Sequence, residues 1–537
     1  MTDDVTFHDE IEGYCGRLSY RPEEVAAVHV SSRADRYDVE VHRWGAERRL
    51  VWEGRDLAGS YVAPPPDADA NGCGWPVGVE VPIGDDWSSG FYLVTLRAAS
   101  GPPGRRESHA GFVVRPDPTE PSAGAGPAPS MVLVLATNTW NAYNTWGGRS
   151  LYTGGREVSF RRPFGRGTLC RPEVERDDRK ARPVRWGEEA DVEGDAFQAY
   201  RMANGYPAAI GSTGWFAHER RFVEWAEGRG YRFDYAVSSD LDDDPTALDG
   251  YQVMVSVGHD EYWSAPQRNA VEAHVARGGN LASFSGNTMF WQVRLEARGD
   301  GGGGRAGGDV AGGGGDTMVC HKYTAHVTDP VVADGRPEDM TGMWCDPMVG
   351  RPEWSVLGAG SAFGLYNRFG RAVARGSGAF TVYRHDHWLL AGTGLGYGDL
   401  LGAADGVVGY ETLGCRLDFD DLQLPVARPV DGMPADVEVV AFAPSSNLAV
   451  GEYPASISAL SDQGDLEFIA ERVFGGGDEV ARAKARYGNS VLLVCRPFDG
   501  GGEVVTVGTT DWVFGLAGDA AVGRVTANVI DRLTNPF

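Results

Sequence analysis

The stretch that most restricts the fold of this chain runs from Met131 to Tyr152 and reads MVLVLATNTWNAYNTWGGRSLY. Its first six residues are apolar, which is typical of a strand buried on both faces of a parallel sheet. The asparagines that follow are poor strand residues, so we expect the strand to end near Thr137 and a loop to begin. Open α/β sheets bind ligands in loops at the carboxyl ends of such strands. The sequence therefore predicts an α/β sheet whose first loop takes part in any chemistry.

Charge and composition exclude several classes of partner. The chain has 537 residues with 49 Lys+Arg against 75 Asp+Glu, a net charge of -26, so neither nucleic acid nor an anionic membrane is expected to bind. No window of eighteen consecutive apolar residues predicts a membrane span, and the first ten residues are too polar for a secretory signal. The seven cysteines are odd in number and show no paired spacing. We therefore expect a cytoplasmic protein with two or three domains.

The first 118 residues predict an immunoglobulin-like β-sandwich. Short β-rich runs at Val25–Val30, Tyr37–Trp44 and Gly90–Leu96 alternate with Gly/Pro turn signals. No catalytic constellation is apparent in this part. Residues 119–130, rich in Pro, Ala and Ser, predict a linker.

Residues 131–537 predict a doubly wound α/β domain in which strands alternate with helices. Ser264 is placed to cap one of the helices, and Ser238–Pro245 is expected to be a polar loop. Residues from about 318 to 430 are expected to form a β-rich insertion, and Gly301–Gly315 a surface loop. The remaining predicted elements are a helix around Phe222 to Ala226, strands at Phe233–Val237, Tyr251–Val257, Leu281–Ser285, Val382–Leu390, Val407–Tyr410, Val437–Phe442, Val491–Cys495 and Val504–Val507, and a final helix at Ala520–Leu533.

Three of the predicted strands end in residues that can carry chemistry. Tyr143 and Tyr152 follow the first, His259 and Glu261 follow another, and Asn287 follows a third. Because the carboxyl ends of parallel strands meet at one edge, we expect these side chains to converge. Two phenolates and a carboxylate are hard oxygen donors suited to ferric iron, which could polarise an amide carbonyl.

Other interpretations of these residues remain open. No G-x-S-x-G elbow and no phosphate-binding P-loop occur in the sequence. His385 and His387 could bind a metal, although an isolated H-x-H is more often a surface pair. The aromatic residues after the first strand could equally form a packed cluster with no ligand.

Several motifs resemble the large (beta) subunit of N,N-dimethylformamidase and its bacterial relatives. These motifs are TNTWNAYNTWGG, SLY, VGHDEYWS, SGNTMFW, GTGLGYGD, VGYE and GTTDW, and they extend over most of the chain. The beginning, GYCGRLSYRPEE with DWSSGFYLVTL, is similar to the β-sandwich module of that family. The chain differs at Trp140, where the formamidase has tyrosine.

The resemblance implies a glutamine-amidotransferase-like α/β domain that holds one iron ion, expected to be Fe³⁺. Carried over by motif, it implies iron ligands at Tyr143, Tyr152 and Glu261. It further implies that His259 assists proton transfer, that Asn287 contacts substrate or water, and that Glu411 is an acid/base carboxylate. A lysine of the family near the site aligns with Lys322.

The sequence thus predicts an iron-dependent amidohydrolase that cleaves the C–N bond of a small, substituted amide. Two alternatives are a non-catalytic binding or assembly protein that keeps the fold, and a carbohydrate-active enzyme that uses Glu261 with Asp260 or Glu411. An open cleft lined by Trp140, Trp146 and Trp263 would favour the latter. A homo-oligomer is compatible with the sequence, whereas a small partner subunit is not indicated by it.

Overall fold

The computed structural model of the protein describes residues 9–116, 129–173, 203–297, 315–367, 378–453 and 464–535. The predicted linker and the predicted Gly301–Gly315 loop lie outside the described residues except at their last positions. Among the described helices, none combines the length and apolar character needed to cross a membrane. The architecture is mixed α/β with several sheets.

The first part of the described chain forms a three-stranded sheet and a five-stranded sheet, ordered β1-β3-β6 and β2-β8-β7-β4-β5. In β4 the side chains of Tyr37, Val39 and Val41 are buried while those of Asp38 and Glu40 are half-buried, as the alternation predicts. The strands are β1 Ile11–Cys15, β2 Ser19–Tyr20, β3 Val25–Ser32, β4 Arg36–Trp44, β5 Arg48–Ala58, β6 Val77–Pro82, β7 Gly90–Ala98 and β8 Glu107–Val114.

A nine-stranded sheet dominates the rest of the described residues, in the order β11-β9-β12-β14-β23-β22-β21-β17-β18. The pairs from β11 to β23 are parallel, and the pairs from β23 to β18 are antiparallel. The strands are β9 Met131–Leu135, β11 Asp234–Val237, β12 Val253–His259, β14 Asn280–Gly286, β17 Phe380–Val382, β18 Leu400–Leu401, β21 Glu438–Ser446, β22 Tyr487–Cys495 and β23 Val504–Thr506.

Two smaller sheets accompany the large one. The first is ordered β10-β16-β15-β13, and the second pairs β19 with β20. Their strands are β10 Glu157–Ser159, β13 Tyr262–Ser264, β15 Trp291–Glu296, β16 Thr317–Val319, β19 Leu417–Phe419 and β20 Pro425–Ala427.

Helices cover both faces of the parallel strands, as the doubly wound pattern predicts. Val223 of α2 and Val529 of α7 pack with Leu133 on one face, and Val271 of α4 packs with Val132 on the other. Ser264 caps α4, because its hydroxyl accepts a hydrogen bond from the Gln267 amide. The described helices of six or more residues are α1 Thr137–Ala142, α2 Glu219–Glu227, α3 Ser238–Asp243, α4 Ala265–Ala276, α5 Asp465–Arg472, α6 Glu479–Arg486 and α7 Ala520–Thr534.

The N-terminal sheets have a hydrophobic cluster of their own, and they also contribute residues to a cluster of the α/β part. The ring of Phe91 in β7 stacks on Trp215 with 4.1 Å between centroids, and Trp44 contacts the same indole at 5.9 Å. The Arg43 guanidinium lies 2.8 Å from the Glu227 carboxylate at the end of α2. The N-terminal sheets are therefore held against the α/β part by packing as well as by charge.

Four local predictions are wrong, and hydrogen bonds explain three of the differences. The loop expected after β9 begins as helix α1, and the polar loop at Ser238–Pro245 begins as helix α3, where the Asp240 carboxylate accepts from the Val237 amide at 2.9 Å. The strand predicted at Val382–Leu390 ends at Val382, because the His387 amide closes a turn onto Arg384. Residues Val407–Tyr410 form no strand, since the Val407 and Val408 amides donate to loop carbonyls.

One buried arginine holds the segment between α1 and β10 together. Arg162 is 1% exposed, and its guanidinium donates to the backbone carbonyls of Ser159 at 3.0 Å, Asn144 at 3.1 Å and Trp146. Burial lowers the pKa of Arg162 to about 10, so the side chain is still charged at neutral pH. The carbonyls that it bonds would otherwise be buried without a donor.

We expect Arg162→Met to lower the free energy of unfolding by roughly 2–4 kcal/mol, because it leaves several buried carbonyls unpaired. Chemical denaturation followed by fluorescence measures the change. Arg428→Met is the matched control, since Arg428 is paired with Asp418 at an exposed position and its loss should leave the free energy of unfolding nearly unchanged. Equal losses in the two variants would contradict the assigned role.

Candidate metal centre

The first strand of the parallel sheet leads directly to two tyrosines. After β9, helix α1 ends at Ala142, and Tyr143 is its C-cap residue. A turn then brings Tyr152 back, because the Leu151 amide donates to the Ala142 carbonyl at 3.1 Å. The rings of Tyr143 and Tyr152 lie 4.2 Å apart between centroids. The two phenols therefore present their hydroxyls to the same place.

Glu261 meets both phenols just beyond the end of β12. The Tyr152 hydroxyl donates to the Glu261 carboxylate, lying 2.7 Å from Oε2 and 2.9 Å from Oε1. The Tyr143 hydroxyl lies 3.2 Å from Oε2. The Glu261 backbone amide donates to the Thr139 hydroxyl of α1 at 2.9 Å, which fixes the two strand ends relative to each other.

His259 lies between two carboxylates. Its Nε2 is 2.7 Å from Oε2 of Glu411 and 3.2 Å from Oε2 of Glu261. On the other side of the ring, Nδ1 lies 2.9 Å from the Ser212 carbonyl and 3.2 Å from the Tyr410 hydroxyl. Because the carbonyl can only accept, Nδ1 carries a proton, and Nε2 faces the carboxylates.

The Asn287 side chain is hydrogen-bonded to Glu411 and does not face an open space. Its Nδ2 donates to Oε2 of Glu411 at 2.8 Å, and its Oδ1 accepts from the Ser361 hydroxyl at 2.6 Å. The preceding Gly286 allows this approach, since a Cβ there would lie 2.4 Å from the Glu411 carbonyl oxygen. Asn287 itself has a φ of 48°, a conformation that costs energy and is common at functional sites.

Lys322 reaches the same site from a distant part of the chain. Its ammonium lies 3.5 Å from the centroid of the Tyr152 ring, a cation–π contact, and the residue is 7% exposed. Burial lowers the pKa of Lys322, and the nearby Glu261 carboxylate opposes that effect. A φ of 50° at Lys322 adds a second strained backbone position.

The electrostatics of the site follow from its burial. Burial and the Glu261 charge raise the pKa of both Tyr143 and Tyr152 well above 10, so the two phenols stay protonated and donate to Glu261. Burial disfavours charge on Glu261, but hydrogen bonding to His259 outweighs it and lowers its pKa. Burial raises the pKa of Glu411. Burial opposes protonation of His259 as well, but the two carboxylates dominate and raise its pKa.

The donor atoms offer two sets of ligands for one ion. The first set is the two phenol oxygens with Glu261, whose Oε2 lies 3.2 Å from one phenol oxygen and 2.7 Å from the other. Donors bound to one ion at about 2.0–2.2 Å commonly lie that far apart. The second set is His259, Glu261 and Glu411, whose ligand atoms lie within 4.8 Å of one another. Among the described residues no other group of His, Cys and acidic side chains is close enough to hold an ion. A bound cation would lower the phenol pKa values and convert hydrogen-bond donors into phenolate ligands.

The three tryptophans that could line a carbohydrate-binding cleft are buried. Trp140, Trp146 and Trp263 are at most 3% exposed, and their indoles donate to Glu219, Glu12 and Asp260 respectively. They line no open cleft, which removes the feature that would favour a carbohydrate-active enzyme. Asp260 is occupied with Ser256 and Trp263 and does not pair with Glu261.

The predicted H-x-H site also lacks the expected contacts. His387 lies 3.2 Å from Glu438 at the edge of the sheet, and neither histidine belongs to a group of ligands in the described part of the chain.

Two features of the site were missed by reasoning from the sequence. Tyr410 contacts the Tyr143 hydroxyl at 3.5 Å and His259 at 3.2 Å, and its position beside Glu411 in VGYE was the available signal. Behind Lys322, the buried Asp465 carboxylate accepts from three phenols, and no local pattern indicates that cluster. The phenols are those of Tyr323 at 2.8 Å, Tyr366 at 2.8 Å and Tyr453 at 2.5 Å.

Comparison with known proteins identifies the family but no individual relative. No curated protein matches the chain. Among solved structures, a chain from a study titled "Structural basis of T cell specificity and activation by the bacterial superantigen toxic shock syndrome toxin-1" aligns at 12% identity over 20% of this chain and 100% of its own length, with a TM-score of 0.14. A likeness of that size says nothing about fold or function. The model of the family described as "N,N-dimethylformamidase beta subunit-like, C-terminal" matches residues 36–527. Since the match extends over nearly the whole chain, the protein belongs to the N,N-dimethylformamidase beta subunit-like family.

Proposed function

We propose that this protein is an iron-dependent amidohydrolase that cleaves the C–N bond of a small, substituted amide. The observation that carries the proposal is the buried contact of two phenols with Glu261, at 2.7 Å from Tyr152 and 3.2 Å from Tyr143. Phenolate and carboxylate oxygens are hard donors that suit a ferric ion. Membership of a dimethylformamidase-like family supports amide hydrolysis as the reaction class.

Tyr143, Tyr152 and Glu261 would hold the ion. A bound ferric ion would supply Lewis-acid chemistry, which polarises an amide carbonyl and acidifies water. Lys322, in contact with the Tyr152 ring, adds a positive charge beside the ligands. The aromatic and carboxylate packing around these groups excludes bulk water, which strengthens each electrostatic interaction.

His259 and Glu411 are the groups that would move protons. The 2.7 Å contact between His259 Nε2 and Glu411 Oε2 holds one proton that either atom can carry. The pair can accept a proton from water as it adds to the carbonyl carbon. The same proton can then pass to the nitrogen as the C–N bond breaks, so that an acid and an amine are released. Asn287 keeps Glu411 oriented through its 2.8 Å hydrogen bond.

The finer descriptions of the fold belong to the same proposal. Five parallel strands with helices on both faces, and a site at their carboxyl ends, support a glutamine-amidotransferase-like α/β domain. The paired N-terminal sheets support an immunoglobulin-like sandwich. The family description refers to a beta subunit, so we also propose that the chain assembles with itself or with a second subunit.

We expect the protein purified from iron-replete cells to contain about one iron per chain and to show phenolate-to-iron charge-transfer absorption in the visible range. Tyr152→Phe and Glu261→Ala should lose both signals, because each removes an oxygen ligand. Metal analysis together with absorption spectroscopy measures them.

The matched control for this test is Tyr235→Phe. Tyr235 is a buried tyrosine whose hydroxyl also donates to a carboxylate, that of Glu227 at 2.9 Å, and it belongs to another hydrophobic cluster than Tyr152. The Tyr235→Phe variant should keep the iron. Wild-type protein that is free of iron would overturn the proposal, and iron retained without the visible band would favour His259, Glu261 and Glu411 as the ligands.

We expect Glu411→Gln to lower kcat for hydrolysis of N,N-dimethylformamide or a related small amide by about 10²–10⁴-fold while the iron content stays unchanged. The substitution keeps the shape of the side chain but removes the partner that shares a proton with His259. Steady-state kinetics across a panel of formamides and acetamides measures the effect. A variant with wild-type kcat on every hydrolysed amide would contradict the role assigned to Glu411.

A further inference from the structure

A second candidate site lies away from the metal centre, in a cavity of about 780 Å³ between the N-terminal sheets and the segment around residues 163–171. Five arginines and three acidic residues line this cavity. The chain as a whole is acidic, with a net charge of -26. The excess of arginine therefore makes this cavity a locally positive site that attracts anions. The arginines are Arg48, Arg97, Arg106, Arg166 and Arg171.

The acidic residues of the lining are already balanced or buried. Asp9 lies 3.8 Å from Arg166, and Glu107 lies 2.8 Å from Arg97. Burial raises the pKa of Glu12 to about 8, so that carboxyl is mostly uncharged at neutral pH. The cavity therefore keeps its positive character.

Cys170 is the nucleophile in this cavity. The other six cysteines of the chain are buried, whereas Cys170 is only partly buried and belongs to the cavity lining. Its sulfur is hydrogen-bonded to the His109 imidazole and lies 3.4 Å from Nη2 of Arg48. On its far side, His109 Nε2 lies 3.3 Å from the Glu107 carboxylate. The sulfur, imidazole and carboxylate thus form a linear relay of the kind that activates thiols.

The charged groups around Cys170 and His109 favour the thiolate and the imidazolium. Burial opposes ionisation of Cys170, but the hydrogen bond with His109 and the charge of Arg48 outweigh it and lower the thiol pKa. Burial likewise opposes protonation of His109, but its bonds to Cys170 and Glu107 raise its pKa. The bond from His109 lowers the pKa of Glu107 to about 2, and Arg97 assists. Both shifts favour the thiolate–imidazolium pair over the neutral thiol and imidazole.

We propose that Cys170 is a reactive thiolate that undergoes exchange with anionic low-molecular-weight disulfides bound in the arginine-lined cavity. His109 holds the positive charge next to the sulfur, and Glu107 orients His109. The arginines provide the electrostatic attraction for carboxylate groups of the incoming disulfide. This site is separate from the metal centre and does not depend on the proposed amide hydrolysis.

The exchange is balanced without any further oxidant. The Cys170 thiolate attacks one sulfur of the disulfide, a new S–S bond forms to Cys170, and the original S–S bond breaks. The second half of the disulfide leaves as a thiolate. Cys170 is oxidised and the leaving sulfur is reduced, so a small dithiol can reverse the reaction.

The test uses the full chain under native conditions with 5,5′-dithiobis(2-nitrobenzoate), a dianionic disulfide. We expect one equivalent of thiolate to be released rapidly per chain, with the mixed disulfide located at Cys170 by peptide mass spectrometry. The rapid release should be absent in Cys170→Ala. The rate should stay nearly constant from pH 8 to pH 6, whereas a thiol with a pKa of about 8.5 slows by roughly two orders of magnitude. A Cys170 rate at pH 6 no greater than that of N-acetylcysteine would overturn the proposal.

Two variants separate the parts of the mechanism. His109→Gln should slow the reaction at pH 6 by at least about tenfold, with His387→Gln as the matched control on another surface. Arg48→Gln should slow the reaction with the dianionic disulfide more than the reaction with neutral bis(2-hydroxyethyl) disulfide. Each rate is divided by the rate of N-acetylcysteine with the same disulfide. Wild-type rates in both variants would contradict the proposed activation. The wild-type pH profile decides the matter even where a variant unfolds.

Discussion

The parallel pairing of β9 with β12 is the constraint on which the candidate metal centre depends. Met131, Val132 and Leu133 are in register with Val253, Met254 and Val255, so both strands end at the same edge of the sheet. The hydrogen bond from the Glu261 amide to Thr139 then fixes the segment after one strand to the helix after the other. With those two links in place, the hydroxyls of Tyr143 and Tyr152 both contact the Glu261 carboxylate.

The site that results is dense in buried ionisable groups. Glu261, Glu411, His259 and Lys322 are all buried, and moving such charges out of water costs several kcal/mol each unless they are paired. Here each charge has an opposite charge or a phenol as its neighbour. A cation bound by the phenols and Glu261 would replace hydrogen bonds by ligand bonds at the same positions, with no rearrangement of the backbone.

The N-terminal sheets contribute residues both to the core of the α/β part and to the arginine-lined cavity. They contribute Trp44 and Phe91 to the core of the α/β part, and they contribute His109 and Glu107 to the cavity that contains Cys170. The same contact surface therefore stabilises the fold and assembles a second reactive group. This explains why no catalytic pattern is visible in the first 118 residues alone: the histidine and its carboxylate are there, but the thiol follows β9.

Short-range patterns in the sequence determined the strands of the parallel sheet, the helix capped by Ser264 and the residue types at the strand ends. These features depend on periodicity, capping and burial, which neighbouring residues decide. The buried positions of Trp140 and Trp146, whose indoles donate to Glu219 and Glu12, depended on partners remote in the chain. Lys322 and Tyr410 reach the candidate site from segments outside the parallel sheet, and Asp465 lies behind Lys322 at the start of α5. Tertiary packing, and not local propensity, brings all three together. The sequence by itself thus determined which chemical groups were available at the sheet edge, and only the tertiary structure decided their distances, because those distances come from strand register and from contacts between distant segments.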